Sequence, residues 1–87
     1  MDTKEFIQLC KDIIVDYANN HLDPTDKKKI DTDDVYVVWY SKTLQNSKAL
    51  LSTTLPDGMY YELTLNGSMA EVYMDAYKKW ENRKIDL

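Results

Sequence analysis

From residue 35 onward the chain alternates, and that alternation constrains its fold more than anything else in it. Residues 48–55 set Ala49, Leu51, Thr53 and Leu55 on one side. Residues 59–65 set Met59, Tyr61, Leu63 and Leu65 against Tyr60, Glu62 and Thr64, and residues 71–77 set Val72, Met74 and Ala76 opposite Tyr73, Asp75 and Tyr77. A period of two is the signature of a strand with one buried face. Residues 35–42 are rich in β-branched and aromatic side chains and read as a further strand. Turn signals fall between the four segments: Leu44-Gln45-Asn46-Ser47, then Pro56-Asp57-Gly58, then Asn66-Gly67, the strongest short hairpin signal in the chain. Four strands in series with short connections predict an antiparallel meander.

One helix precedes them. Over residues 3–20, Phe6, Leu9, Cys10, Ile13, Ile14 and Tyr17 recur at spacings of three and four and form one stripe, with Lys4, Gln8, Lys11 and Asn19 opposite. Asp2 followed by Glu5 suggests a capping box, and Asn19-Asn20 with Asp23-Pro24 supplies the stop. The polar stretch 23–34, whose one apolar residue is Ile30, reads as a connecting loop. The predicted fold class is therefore α+β: one N-terminal helix packed on a four-stranded antiparallel meander, within a single domain of 87 residues. Alternation places Val35, Val37, Trp39, Leu51, Leu63, Val72 and Met74 toward the helix. The fourth strand is expected to run to about Lys79. Tyr73, Tyr77, Trp80 and Lys84 also fit a helical spacing, so a short C-terminal helix over 74–84 stands as the alternative.

Charge is uneven. Residues 1–34 hold nine acids and five bases and account for the whole net charge of −4, while residues 35–87 hold six of each. The acidic third, with Glu5, Asp12 and Asp16 on one side of the helix, is a candidate surface for a basic partner. The longest uninterrupted apolar run is six residues, Val35 to Tyr40, against the roughly 20 that a membrane helix needs. Met1-Asp2-Thr3-Lys4-Glu5 has neither the basic start nor the apolar core of a signal peptide, so a cytoplasmic location and no membrane association are expected.

No motif supports catalysis, a metal or a cofactor. Cys10 and His21, the only thiol and imidazole, stand roughly 16 Å apart along a helix, too far for a nucleophile–base pair. Asp31, Asp33 and Asp34 resemble the start of a calcium loop, but Tyr36 and Lys42 occupy the places of its glycine and terminal glutamate. Both glycines belong to turns, which leaves no phosphate cradle. The chain therefore reads as non-enzymatic.

The sheet face turned away from the helix is the candidate site. Alternation assigns it Tyr36, Tyr40, Tyr60, Tyr73 and Tyr77, with Glu62, Asp75, Lys42, Lys48 and Lys79 between the rings. Tyrosine offers a large contact area, a polar tip and few torsions to freeze, which suits partner binding. Three readings share that composition: cross-strand packing of a solvated sheet, a face for a protein partner or a second copy, and a stacking platform for single-stranded nucleic acid. The last would draw on Lys78, Lys79, Arg83 and Lys84 around Trp80, a modest basic cluster interrupted by Glu81 and followed by Asp86 in an acidic protein.

The run from Lys42 to Thr64, with the segment from Tyr73 to Asn82 and the helix start Glu5-Phe6-Ile7, resembles a family of small uncharacterised phage and prophage proteins of Gram-positive bacteria. The resemblance implies an accessory protein acting in the host bacterial cytoplasm, where such proteins bind and redirect or inhibit a host component, defence systems included. It carries over no activity and no functional residues.

Overall fold

The computed structural model describes residues 1–21 and 29–87. Helix α1 (Thr3–Asn20) is followed by a 3-10 turn (Thr32–Asp34) and the strands β1 (Val35–Thr43), β2 (Asn46–Thr53), β3 (Met59–Asn66) and β4 (Glu71–Lys78). The strands lie in the order β1-β2-β3-β4, each antiparallel to the next. This is the predicted α+β meander. The stop signal at Asp23-Pro24 and the bases Lys27 and Lys28 lie outside the described residues.

Asp2 caps α1 by accepting the Glu5 backbone N–H at 2.8 Å, and that donor holds its carboxyl below the usual range. The stripe that enters the core is Phe6, Cys10, Ile14 and Ala18, one residue every four, so Ala18 replaces Leu9 and Tyr17 at its centre. Ile13 and Tyr17 flank the core half-buried, while Leu9 lines an outer groove beside Lys4, Gln8 and Asp12. Asn19 is not a solvent residue. Its side-chain amide donates to the Ile30 carbonyl and accepts the Ile30 N–H, both at 3.0 Å, and so plugs Ile30 into the core. Asp31 opens the 3-10 turn with a complete capping box, in which its carboxylate accepts Asp33 N–H while Asp34 accepts its own N–H.

The register explains which residues share a face. On the helix side run the rows Val37–Leu51–Tyr61–Ala76, Tyr40–Ala49–Leu63–Met74 and Lys42–Ser47–Leu65–Val72. Leu51, Tyr61, Leu63, Leu65 and Ala49 are buried there against α1. The helix crosses the sheet from the Phe6–Tyr40 contact, with ring centroids 6.0 Å apart, to Tyr17, which meets Tyr61 edge-on at 5.7 Å.

Two turns differ from expectation. The first hairpin closes with Leu44-Gln45 alone, and Leu44 takes φ +57, so β2 begins at Asn46 rather than Lys48. Asn66-Gly67 does not form a two-residue hairpin. Asn66 pairs with Glu71 across the four residues 67–70, and Ala70, not the glycine, carries the positive φ of +52. Gly67 is required for another reason: a Cβ there would lie 2.1 Å from the Gln45 carbonyl oxygen, because the two turns stack on one another. Gly67 N–H to Asn46 Oδ1 at 3.2 Å and Ser68 Oγ to Gln45 Oε1 at 3.0 Å join them. β4 ends at Lys78, Lys79 N–H bonds the Gly58 carbonyl at 2.8 Å, and residues 79–87 carry no regular secondary structure, which excludes the alternative C-terminal helix.

The molecule is a thin slab of 42 × 40 × 19 Å with a radius of gyration of 14.4 Å, against roughly 12 Å for a compact chain of this length. Among the described residues only one face of the sheet is covered.

Candidate functional site

The uncovered face is built by the pleat and by one irregularity. Between Val37 and Trp39 the β1–β2 register shifts: Val37 pairs with Leu51 and Trp39 with Leu50, leaving Val38 as an extra residue. This β-bulge inverts the alternation of everything after it in β1. Trp39, expected under the helix, joins the open-face row Trp39–Leu50–Glu62–Asp75. Tyr40, expected on the open face, turns to the helix side. Its hydroxyl hydrogen-bonds Thr3 Oγ1 at 3.0 Å, and that bond, with one to Ser47, holds the phenol below its usual pKa. Lys42 follows it to the helix side, opposite Ser47.

The remaining tyrosines are where alternation put them. Tyr36, Ser52, Tyr60 and Tyr77 form one cross-strand row, and Ser41, Lys48, Thr64 and Tyr73 another. Tyr36, Tyr73 and Tyr77 are 49%, 56% and 53% exposed and Trp39 is 40% exposed. Between the rings of Tyr36 and Tyr60, Ser52 is buried and donates its hydroxyl to the Met59 carbonyl at 2.7 Å, so the row presents aromatic surface over a satisfied floor. At its end a groove of about 470 Å³ lies between Tyr36, Tyr60, the Pro56-Asp57-Gly58 turn and Lys79. Tyr73 donates its hydroxyl to Glu71 at 2.8 Å, and the carboxylate raises its pKa.

The charges on and beside the face are largely matched. Lys48 pairs with Glu62 at 3.2 Å, Arg83 with Glu81 at 3.5 Å and Lys84 with Asp86 at 3.4 Å. Trp80 and Arg83 lie beyond β4 and are exposed, Trp80 almost completely. Nothing in their contacts joins them to the tyrosine rows.

Residues 7–87 match the model of a family described as a family of unknown function, DUF6275. The chain belongs to that family. No curated protein and no solved structure matches it.

In this DUF6275 member Cys10, His21, Asp31 and Asp34 serve the fold. Cys10 is fully buried, and burial pushes its thiol up to about 12, the condition of an unreactive cysteine. His21 caps α1, stacks on Tyr17 at 4.0 Å and donates from Nδ1 to the Tyr17 carbonyl at 2.7 Å. Asp31 and Asp34 hold the 3-10 turn. Among the described residues no three His, Cys, Asp or Glu side chains converge as a metal site, and no helix is long and apolar enough to cross a membrane.

Proposed function

We propose that this chain is a non-enzymatic phage accessory protein that binds a host or phage protein through its open sheet face, in the manner of an inhibitor of a host (defence) component. The observation that carries the binding reading is the aromatic exposure of that face. Tyr36, Trp39, Tyr73 and Tyr77 are each about half exposed. At about 150–250 Å² per ring residue, each offers about 100 Å², and the four together about 400 Å². That is half of the roughly 800 Å² that each partner contributes to a standard interface, before Leu50 and the polar rim are counted. The mixed, internally paired charge between the rings suits a protein surface better than a phosphate backbone, which calls for a run of unneutralised cations. The phage context rests on the resemblance alone.

The test is affinity capture from bacterial lysate, with and without infection, using the wild-type chain and the Tyr73→Ala/Tyr77→Ala double variant. A protein retained by the wild type and lost with the variant supports the reading. Identical recovery with both, with retention of short single-stranded DNA that falls steeply with salt, would replace it with the nucleic-acid reading.

A further inference from the structure

Asn66-Gly67 carries a chemistry that its turn does not use. An asparagine followed by glycine is the dipeptide most open to deamidation, because glycine has no side chain to shield its backbone nitrogen. Gly67 N attacks Asn66 Cγ and a cyclic succinimide closes. The new N–Cγ bond replaces Cγ–Nδ2, and Nδ2 leaves as ammonia with the Gly67 proton. Water then adds across either ring C–N bond: cleavage at Cγ gives aspartate at position 66, cleavage at the main-chain carbonyl gives isoaspartate. No reactant beyond water is needed, and residues 67–70 are exposed to it. Asn19, Asn20, Asn46 and Asn82 are instead followed by Asn20, His21, Ser47 and Arg83, whose side chains hinder the attack.

The fold holds both reacting groups out of line. Gly67 N–H is donated to Asn46 Oδ1 of the neighbouring hairpin at 3.2 Å, and Asn66 Oδ1 accepts Met69 N–H at 3.3 Å. Asn66 is the last residue of β3 and pairs with Glu71, so its backbone is extended. Ring closure requires the Asn66–Gly67 peptide plane to turn its nitrogen toward Asn66 Cγ. That rotation breaks the bond to Asn46 and swings Gly67 against the first turn, where even a Cβ would stand 2.1 Å from the Gln45 carbonyl oxygen. Ser68 Oγ, bonded to Gln45 Oε1 at 3.0 Å, ties the following residue to the same turn. We propose that Asn66 is a spontaneous deamidation site held shut by the stacking of the two hairpin turns, so that it reacts only when the turns part. Isoaspartate reroutes the main chain through Cβ at the closest approach of the turns, so the reaction disrupts the stack that restrains it. The open sheet face takes no part, and the proposal stands independently of partner binding.

Peptide mapping by mass spectrometry at neutral pH tests the proposal. The peptide containing Asn66 is followed in folded wild type, in wild type held unfolded in guanidinium chloride, and in folded Asn46→Ala. The unfolded chain accumulates aspartate and isoaspartate at position 66 ahead of Asn19, Asn20, Asn46 and Asn82. The folded wild type reacts at least about tenfold more slowly, since it must first open locally. Asn46→Ala removes the acceptor of Gly67 N–H and speeds the folded reaction roughly two- to tenfold, the equivalent of one hydrogen bond. Far-UV circular dichroism checks that Asn46→Ala is folded; if it is not, Ser68→Ala, which removes the tie to Gln45, decides by the same criterion. An unfolded chain that leaves Asn66 intact overturns the proposal. So does a folded wild type that reacts as fast as the unfolded chain, or a folded Asn46→Ala that reacts no faster than the wild type.

Discussion

Replacing Gly67 by alanine tests whether the two hairpin turns stack as described. The added Cβ would stand 2.1 Å from the Gln45 carbonyl oxygen, where carbon–oxygen contacts ordinarily begin near 3.3 Å. The obstacle is backbone, so it cannot rotate away, and about 1.2 Å must come from moving a turn. Overpacking of this kind costs about 1–3 kcal/mol. Displacement also strains the Gly67–Asn46 and Ser68–Gln45 hydrogen bonds, each worth about 0.5–1.5 kcal/mol. The sum is about 2–6 kcal/mol, a large part of the roughly 4–13 kcal/mol expected for a chain of this size. At about 4–8 °C per kcal/mol, Tm falls by at least about 8 °C. Gly58→Ala is the control. Its φ of +70 is strained for alanine, about 1–2 kcal/mol, but its nearest neighbour, Lys79 Cβ, is an ordinary 3.8 Å away. Thermal and urea unfolding followed by far-UV circular dichroism compare the two at constant m. A Gly67→Ala cost below about 1 kcal/mol, or below that of Gly58→Ala, refutes the stacking.

Three further outcomes are expected. Tyr40→Phe lowers Tm because it removes the bond to Thr3, whereas Tyr36→Phe on the open face leaves it unchanged; equal effects would return Tyr40 to the open face. Asn19→Ala strands both Ile30 backbone groups and costs about 1–3 kcal/mol by urea unfolding, and a neutral result would dissolve that link. Burial raises the Cys10 thiol from 9.0 to about 12, so the folded chain holds this proton more tightly than the unfolded one; the resulting stability is complete below pH 9 and is lost as pH rises toward 12. A pH series with Cys10→Ala as reference checks this, and rapid native-state reaction of the thiol with a disulfide reagent near pH 8 would contradict it.

Most of the architecture was legible because it rests on periodicity. The helix bounds, three of the four strand phases and the strand order follow from side-chain spacing, and the structure repeats them. What failed was local. The bulge at Val38 leaves no mark in a run as uniformly apolar as Val35-Tyr36-Val37-Val38-Trp39-Tyr40, so the phase of Trp39 and Tyr40 was read through it without correction. Gly67 reads in the sequence as half of a two-residue hairpin turn, whereas its cause is a neighbour 22 residues away in sequence. The Asn19–Ile30 bridge joins an apparent solvent residue to an apparent loop residue, and no local pattern encodes such a pair. Of the candidate face, Tyr36, Tyr60, Tyr73 and Tyr77 were legible, while Trp39 entered it only through the bulge.

That bulge gives β1 two reading frames. Upstream of Val38 odd-numbered positions serve the helix side, and downstream even-numbered ones do. Deleting Val38 would leave Val37 opposite Leu51 and Trp39 opposite Leu50 in an unbroken ladder, with both faces kept, whereas a strand that held Val38 without the bulge would exchange the two faces from position 39 onward. In that unbulged strand tryptophan would go inward, and Tyr40 would be torn from Thr3. A one-residue shortening at Val38 is thus compatible with the sheet, which makes the bulge, and not the length of the strand, the feature that assigns Trp39 and Tyr40 to their sides.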